Sequence, residues 1–124
     1  NIPFATFEDI PDVFAMKLAG DCLAPELMDG DEVVFTKAEP PRAGDIAIFI
    51  LRPEKVEGTY QCLIKRLVME IPPWVTFPWR ENPKSEVRAL AVAVQSNPPR
   101  QYMIPCEHLL AVVKFSHVQR RAAQ

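Results

Sequence analysis

Two residues in this chain are of types that could do covalent chemistry together. Cys22 lies in Gly20-Asp21-Cys22-Leu23-Ala24-Pro25, a tight polar turn that interrupts a strand-like run. Lys65 lies further on, in Leu63-Ile64-Lys65-Arg66-Leu67, inside a second strand-like run. Side chains two apart on a strand share a face, so Lys65 is expected beside Leu63, Leu67 and Met69. An ammonium on an apolar face is costly unless it is paired or neutral, and a lysine driven towards its neutral form becomes a base. A thiol on a sharp turn facing such a lysine is the layout of a nucleophile with its activator. The same residues also fit a plainer reading, with Cys22 a small turn residue and Lys65 reaching water past the sheet edge. Residue types alone leave both readings open.

The rest of the sequence bounds what these residues can belong to. At 124 residues one domain with a single core is expected, and 48% hydrophobic residues fit a folded globule. A formal charge of −2 argues against general affinity for nucleic acid, which needs a clustered basic surface. Lys114, Arg120 and Arg121 near His117 read as a solvated tail. Cys22, Cys62 and Cys106 form no Cys-x-x-Cys pair and the two histidines are far apart, so neither a disulfide framework nor a zinc site is expected, and no cofactor. That cysteine usage suits a reducing, cytoplasmic compartment. A signal-peptide pattern and an apolar run long enough to span a bilayer are both missing, so no membrane role is expected. Thirteen prolines against four glycines favour strands and rigid turns over long helices.

The elements that must position Cys22 and Lys65 follow from alternation and turn signals. Residues 1–13, with Pro3 and Pro11 and no initial Met, read as an irregular linker arm arriving from an upstream segment. Phe14–Ala19 alternates Phe14, Met16 and Leu18 against Ala15, Lys17 and Ala19, a first strand. A turn over Asp21–Asp31 follows, with one helical turn near Pro25 and a stop at Asp29-Gly30-Asp31. Strands are then expected at Asp31–Thr36, at Ile46–Leu51 (apolar on both faces and therefore central) and at Tyr60–Met69, with a charged hairpin loop over 52–58. Pro72–Pro83 carries Trp74, Phe77 and Trp79, an aromatic loop that either caps the core or grips a partner. Val87–Gln95 and Leu110–Val118 are the last strands, with a helical turn at Cys106–Leu109 and a tail over 119–124. The fold class is mostly β, with bent antiparallel sheets around one core. Cys62 is expected in the core, Cys106 inert, Arg66 solvated opposite Lys65, and His108 and His117 at the surface.

Several of these segments, taken in order, resemble a known family. Phe14 to Pro25, Asp29-Gly30-Asp31, Pro41-Arg42-Ala43-Gly44-Asp45, Ile64-Lys65-Arg66-Leu67, Ser96-Asn97-Pro98 and Leu109–Val113 are together similar to the LexA-type peptidase domain. That domain is the C-terminal half of LexA, of CI-type phage repressors and of the mutagenesis protein UmuD. The resemblance spans residues 14–118. It implies a compact β fold with a Ser–Lys dyad, in which the serine attacks a peptide bond of the protein's own linker and an unprotonated lysine takes its proton. Lys65 matches the lysine. Cys22 stands where the family has its serine, and the backbone N–H groups of Asp21 and Cys22 match the oxyanion hole. The family's scissile Ala-Gly or Cys-Gly pair lies upstream, and residues 1–13 contain none.

The function implied is the regulatory and dimerisation domain of a bacterial or phage transcriptional regulator, with DNA contact made only by an upstream helix-turn-helix domain. A homodimer is expected, formed along the last strand, whose apolar alternation reads as an edge needing cover. The resemblance raises a RecA-type co-protease as a partner, which the residues leave open. Two other readings stand beside it. One is an active peptidase, either a self-cleaving Cys–Lys enzyme or a signal-peptidase relative, the latter disfavoured without a membrane anchor. The other is a non-catalytic peptide-binding module that uses the loop from Trp74 to Trp79.

Overall fold

Ile46–Leu51 is a run of six apolar residues, too uniformly apolar to face water on either side, and it forms the middle of the sheet. In the computed structural model, which describes residues 3–72 and 89–119, this strand is β3. The others are β1 (Val13–Lys17), β2 (Glu32–Thr36), β4 (Cys62–Leu67), β5 (Leu90–Ser96), β6 (Pro99–Pro105) and β7 (Leu109–Gln119). They make one seven-stranded sheet in the order β1-β2-β7-β3-β4-β5-β6, antiparallel at every pairing. Short 3-10 turns at Phe7–Asp9, Pro53–Lys55 and Cys106–His108 complete the described elements.

Alternation along β3 builds two cores. Ile46, Ile48 and Ile50 point into one cluster with Val33, Phe35 and Val113, while Ala47 and Phe49 point into the other with Leu67, Ala93 and Val112. The first cluster also receives the residues expected as an irregular arm. Phe4 and Ile10 are buried in it, and Phe4 meets the Phe14 ring edge-on at 5.8 Å. The prolines of that arm break regular structure, but its phenylalanines and Ile10 carry enough apolar surface to hold it against the sheet.

The edge expected at the last strand lies elsewhere. β7 is eleven residues long and sits between β3 and β2, with Leu109–Lys114 pairing β3 and Lys114–Gln119 pairing β2. The border strands are β1 and β6. A strand that long serves two neighbours in succession, which alternation alone does not reveal. β6 is absent from the sequence reading because it begins and ends with proline and is mostly exposed, both tolerable only at a border. Arg66, expected to be solvated, keeps about a third of its side chain exposed, and there it pairs with Glu26 and donates to the Gly44 carbonyl. The aromatic loop from Trp74 onwards and the basic residues Arg120 and Arg121 lie outside the described residues. Among the described residues no helix is long and apolar enough to cross a membrane.

Candidate active site

The loop between β1 and β2 carries Cys22, and its closure is written in short-range polar contacts. Leu18 N–H donates to the Asp31 carbonyl and Gly30 N–H donates back to the Leu18 carbonyl, both at 2.8 Å, so the two ends are pinned together. Gly20, at φ +91°, takes a backbone turn that a side chain would disfavour, and its N–H donates to Asp29 Oδ1 at 2.7 Å. Leu27 N–H donates to the Leu23 carbonyl, closing the one helical turn expected around Pro25. Leu23 and Leu27 are buried in the first cluster and act as the loop's anchors. Cys22 is thus held between a glycine turn and an anchored leucine, half-buried rather than enclosed.

Contacts from the other side of the sheet fix the same loop. The Cys22 carbonyl accepts from Ser96 N–H at 2.8 Å, from Asn97 N–H at 3.1 Å and from the Ser96 hydroxyl at 3.2 Å. Among the described residues, the backbone N–H groups of Asp21 and Cys22 donate to no protein acceptor. The turn therefore presents two donors that an incoming oxygen could use.

Lys65 is buried on β4, with 7% of its surface exposed. It shares its face with Leu63 and Leu67, as alternation predicts, and both belong to or pack on the second cluster. Its Nζ donates to Gln95 Oε1 at 2.6 Å and lies 5.0 Å from the centre of the Tyr102 ring. Among the described residues no carboxylate lies within ion-pair distance of it. A buried cation with only neutral partners is an uncommon arrangement.

A cleft of about 360 Å³ brings the two together. Cys22 and Lys65 both line it, with Met16, Leu18 and Leu63 as apolar walls and Pro3 of the arm at its side. Its size falls in the range of sites that bind a small molecule or a few residues of chain. Among the described residues, the hydrogen bond that Lys65 donates goes to Gln95 rather than to Cys22 Sγ. Cys62 lines the same cleft, but burial pushes its thiol up to about 11. Cys106 is fully buried, and burial with the neighbouring Glu107 carboxylate raises it likewise to about 11. His108 and His117 do not line the cleft. Among the described residues no group of three His, Cys, Asp or Glu side chains is placed to hold a metal ion.

No protein-family model, curated protein or solved structure matches this chain. What the residues can do is therefore read from this geometry and from the order of motifs. Gln95 and Tyr102 were not nominated from the sequence. Gln95 closes a mostly apolar run, Leu90 to Val94, and a single glutamine in such a strand carries no signal until its partner across the sheet is known.

Proposed function

We propose that this chain is the C-terminal regulatory and dimerisation domain of a LexA/CI-like transcriptional regulator, carrying a Cys–Lys version of the self-cleavage dyad. The observation that carries the reading is the shared cleft: a half-buried thiol on a fixed turn and a buried lysine that has no counter-charge among the described residues. The ordered motifs, the mostly β sheet and the two unbonded N–H groups at Asp21 and Cys22 support it.

The chemistry then runs in two halves. Lys65 takes the thiol proton, Cys22 Sγ bonds to the carbonyl carbon of the linker peptide, and the oxyanion is met by the N–H groups of Asp21 and Cys22. The C–N bond breaks as the Lys65 ammonium returns the proton to the leaving amine, leaving a thioester. Water then adds to the thioester with Lys65 again as base, and the acid and the thiol are released. Sulfur is acidic enough to surrender its proton readily, with a free pKa of about 8.5. It is also the better leaving group, so the tetrahedral adduct tends to collapse backwards before the amine departs. Its larger radius also displaces the attacking atom in a site shaped for oxygen. The dyad is accordingly weakened relative to serine, and regulation by dimerisation is the domain's main task.

Incubating the full-length parent at alkaline pH and following its length tests this directly. The expected result is slow shortening that Lys65→Ala abolishes and Cys22→Ser accelerates. A Cys22→Ser parent of unchanged length, despite an upstream Ala-Gly or Cys-Gly pair, would reject the self-cleavage part of the reading.

A further inference from the structure

One short stretch of chain, from Gln95 at the end of β5 through the turn into β6, touches both halves of the cleft. Its Ser96 and Asn97 groups hold the Cys22 carbonyl, while the Gln95 side chain holds Lys65. Pairing explains why. Gln95 lies one residue past the Arg66–Val94 pair of β4 and β5, which sets it across from Lys65. Tyr102 faces Ala93 on β6 and is therefore diagonal to Gln95 on the same face. Three adjacent strands thus converge on one buried polar cluster.

The orientation of Gln95 is determined rather than free. Its Nε2 donates to the Pro98 carbonyl at 3.0 Å, which turns Oε1 the other way. The Tyr102 hydroxyl donates to that Oε1 at 2.8 Å, and Lys65 Nζ donates to it at 2.6 Å. Two donors saturate a carbonyl oxygen, and a flipped amide would lose the bonds to Lys65 and to the Pro98 carbonyl, setting donor against donor and acceptor against acceptor.

We infer that Gln95, oriented by Tyr102 and the Pro98 carbonyl, is a positioning residue for Lys65. The inference rests on the Cys22–Lys65 dyad proposed above. Gln95 takes one of the three ammonium N–H groups and fixes the side chain at the cleft, leaving the other two for the thiol side. An amide suits this role better than a carboxylate. It stabilises the ammonium that forms when the thiol gives up its proton, yet offers no negative charge to compete with the thiolate. Among the described residues, the titratable groups that line the cleft are Lys17, Cys22, Tyr60, Cys62 and Lys65, with the Tyr102 ring beside Lys65, and none of these is a carboxylate.

A double-mutant cycle on Cys22 alkylation by iodoacetamide at one near-neutral pH tests the inference in the folded chain. The four proteins are the parent, Gln95→Leu, Lys65→Ala and the double variant. Gln95→Leu is expected to slow Cys22 labelling about tenfold, the scale of one hydrogen bond to a charged group. In the Lys65→Ala background the same substitution is expected to change nothing, because its effect passes through Lys65. Slowing of equal size in both backgrounds would assign Gln95 a purely structural role and overturn the inference. Labelling of Gln95→Leu at or above the parent's rate would overturn it too, a faster rate meaning that Gln95 withholds Lys65 from the thiol. If Lys65→Ala itself labels at the parent's rate, it is the dyad that fails. Tyr102→Phe, which removes one hydroxyl and keeps the ring, is the gentler variant should Gln95→Leu not fold. It is expected to slow labelling about threefold with Lys65 present and not at all without it.

Discussion

Two lysines in this protein are buried almost equally, at 6% exposure for Lys37 and 7% for Lys65, and their surroundings differ in kind. Lys37 is fastened to backbone: its Nζ donates to the carbonyls of Ile10 and Phe7 and lies 4.1 Å from the centre of the Phe7 ring. Asp12 and Glu8 add their fields, opposing the desolvation that lowers its proton affinity. Lys65 shares only the aromatic neighbour, the Tyr102 ring at 5.0 Å, and among the described residues has neither the backbone acceptors nor a carboxylate within ion-pair distance. One side-chain amide holds it beside an open cleft that Cys22 also lines. The first lysine staples the N-terminal arm to the sheet. The second stands where its remaining N–H groups can take part in a reaction. Burial by itself does not separate these two lysines, whereas the identity of their acceptors does.

The largest separation between the two lysines is expected in catalysis. In a full-length Cys22→Ser parent, Lys65→Met should lower the self-cleavage rate at least about a hundredfold, the usual scale for loss of a general base. Lys37→Met should leave it within about threefold, since Lys37 does not line the cleft. Comparable losses from both would erase the distinction.

Stability should reverse the ranking. Lys37→Met strands the carbonyl of the buried Ile10 and releases the arm, at a cost of about 2 kcal/mol in denaturant unfolding. Lys65→Met removes a buried cation while Tyr102 still satisfies Gln95, so its cost should stay below about 1 kcal/mol. A larger loss at Lys65 than at Lys37 would mark Lys65 as the structural one.

The smallest expected effect is one of pH. Lys37 is lowered from its ordinary 10.5, first by desolvation. Between its folded value and 10.5 the unfolded chain therefore binds more protons than the folded one, and rising pH favours folding there. The parent's stability advantage over Lys37→Met should widen as pH climbs through that window and be narrowest below it. Unfolding curves at a series of pH values for both proteins measure the gap, and a gap that shrinks with rising pH would contradict the assignment.

How much of this was legible in the sequence depended on whether the deciding contact was local. β3 was readable to the residue because six consecutive apolar side chains admit no exposed face. The Cys22 turn was readable because Gly20, Pro25 and Asp29-Gly30-Asp31 impose their backbone shape nearby. β6 was hidden behind its prolines, and the interior place of β7 depended on which strands it met. The cleft was half legible. Cys22 and Lys65 stood out by type and surroundings, but Gln95 and Tyr102 acquire meaning only when three strands lie side by side. The packing of the arm was not legible for a related reason, since Lys37 and Gln61 hold it from far along the chain.

The central claim, that Cys22 and Lys65 act as a pair, is tested most directly by competitive alkylation of the three cysteines with and without Lys65. Cys62 is the built-in control, because it lines the same cleft but its thiol is pushed up to about 11 by burial. At pH 7 a thiol of that kind is ionised in roughly one molecule in ten thousand, and Cys106 behaves alike. Near neutral pH, Cys22 is expected to label at least about tenfold faster than either, and Lys65→Ala to remove most of that lead while leaving Cys62 and Cys106 unchanged. A Cys22 rate that is the same in the folded parent and in folded Lys65→Ala would contradict the pairing, and the domain would then act by binding and dimerisation alone.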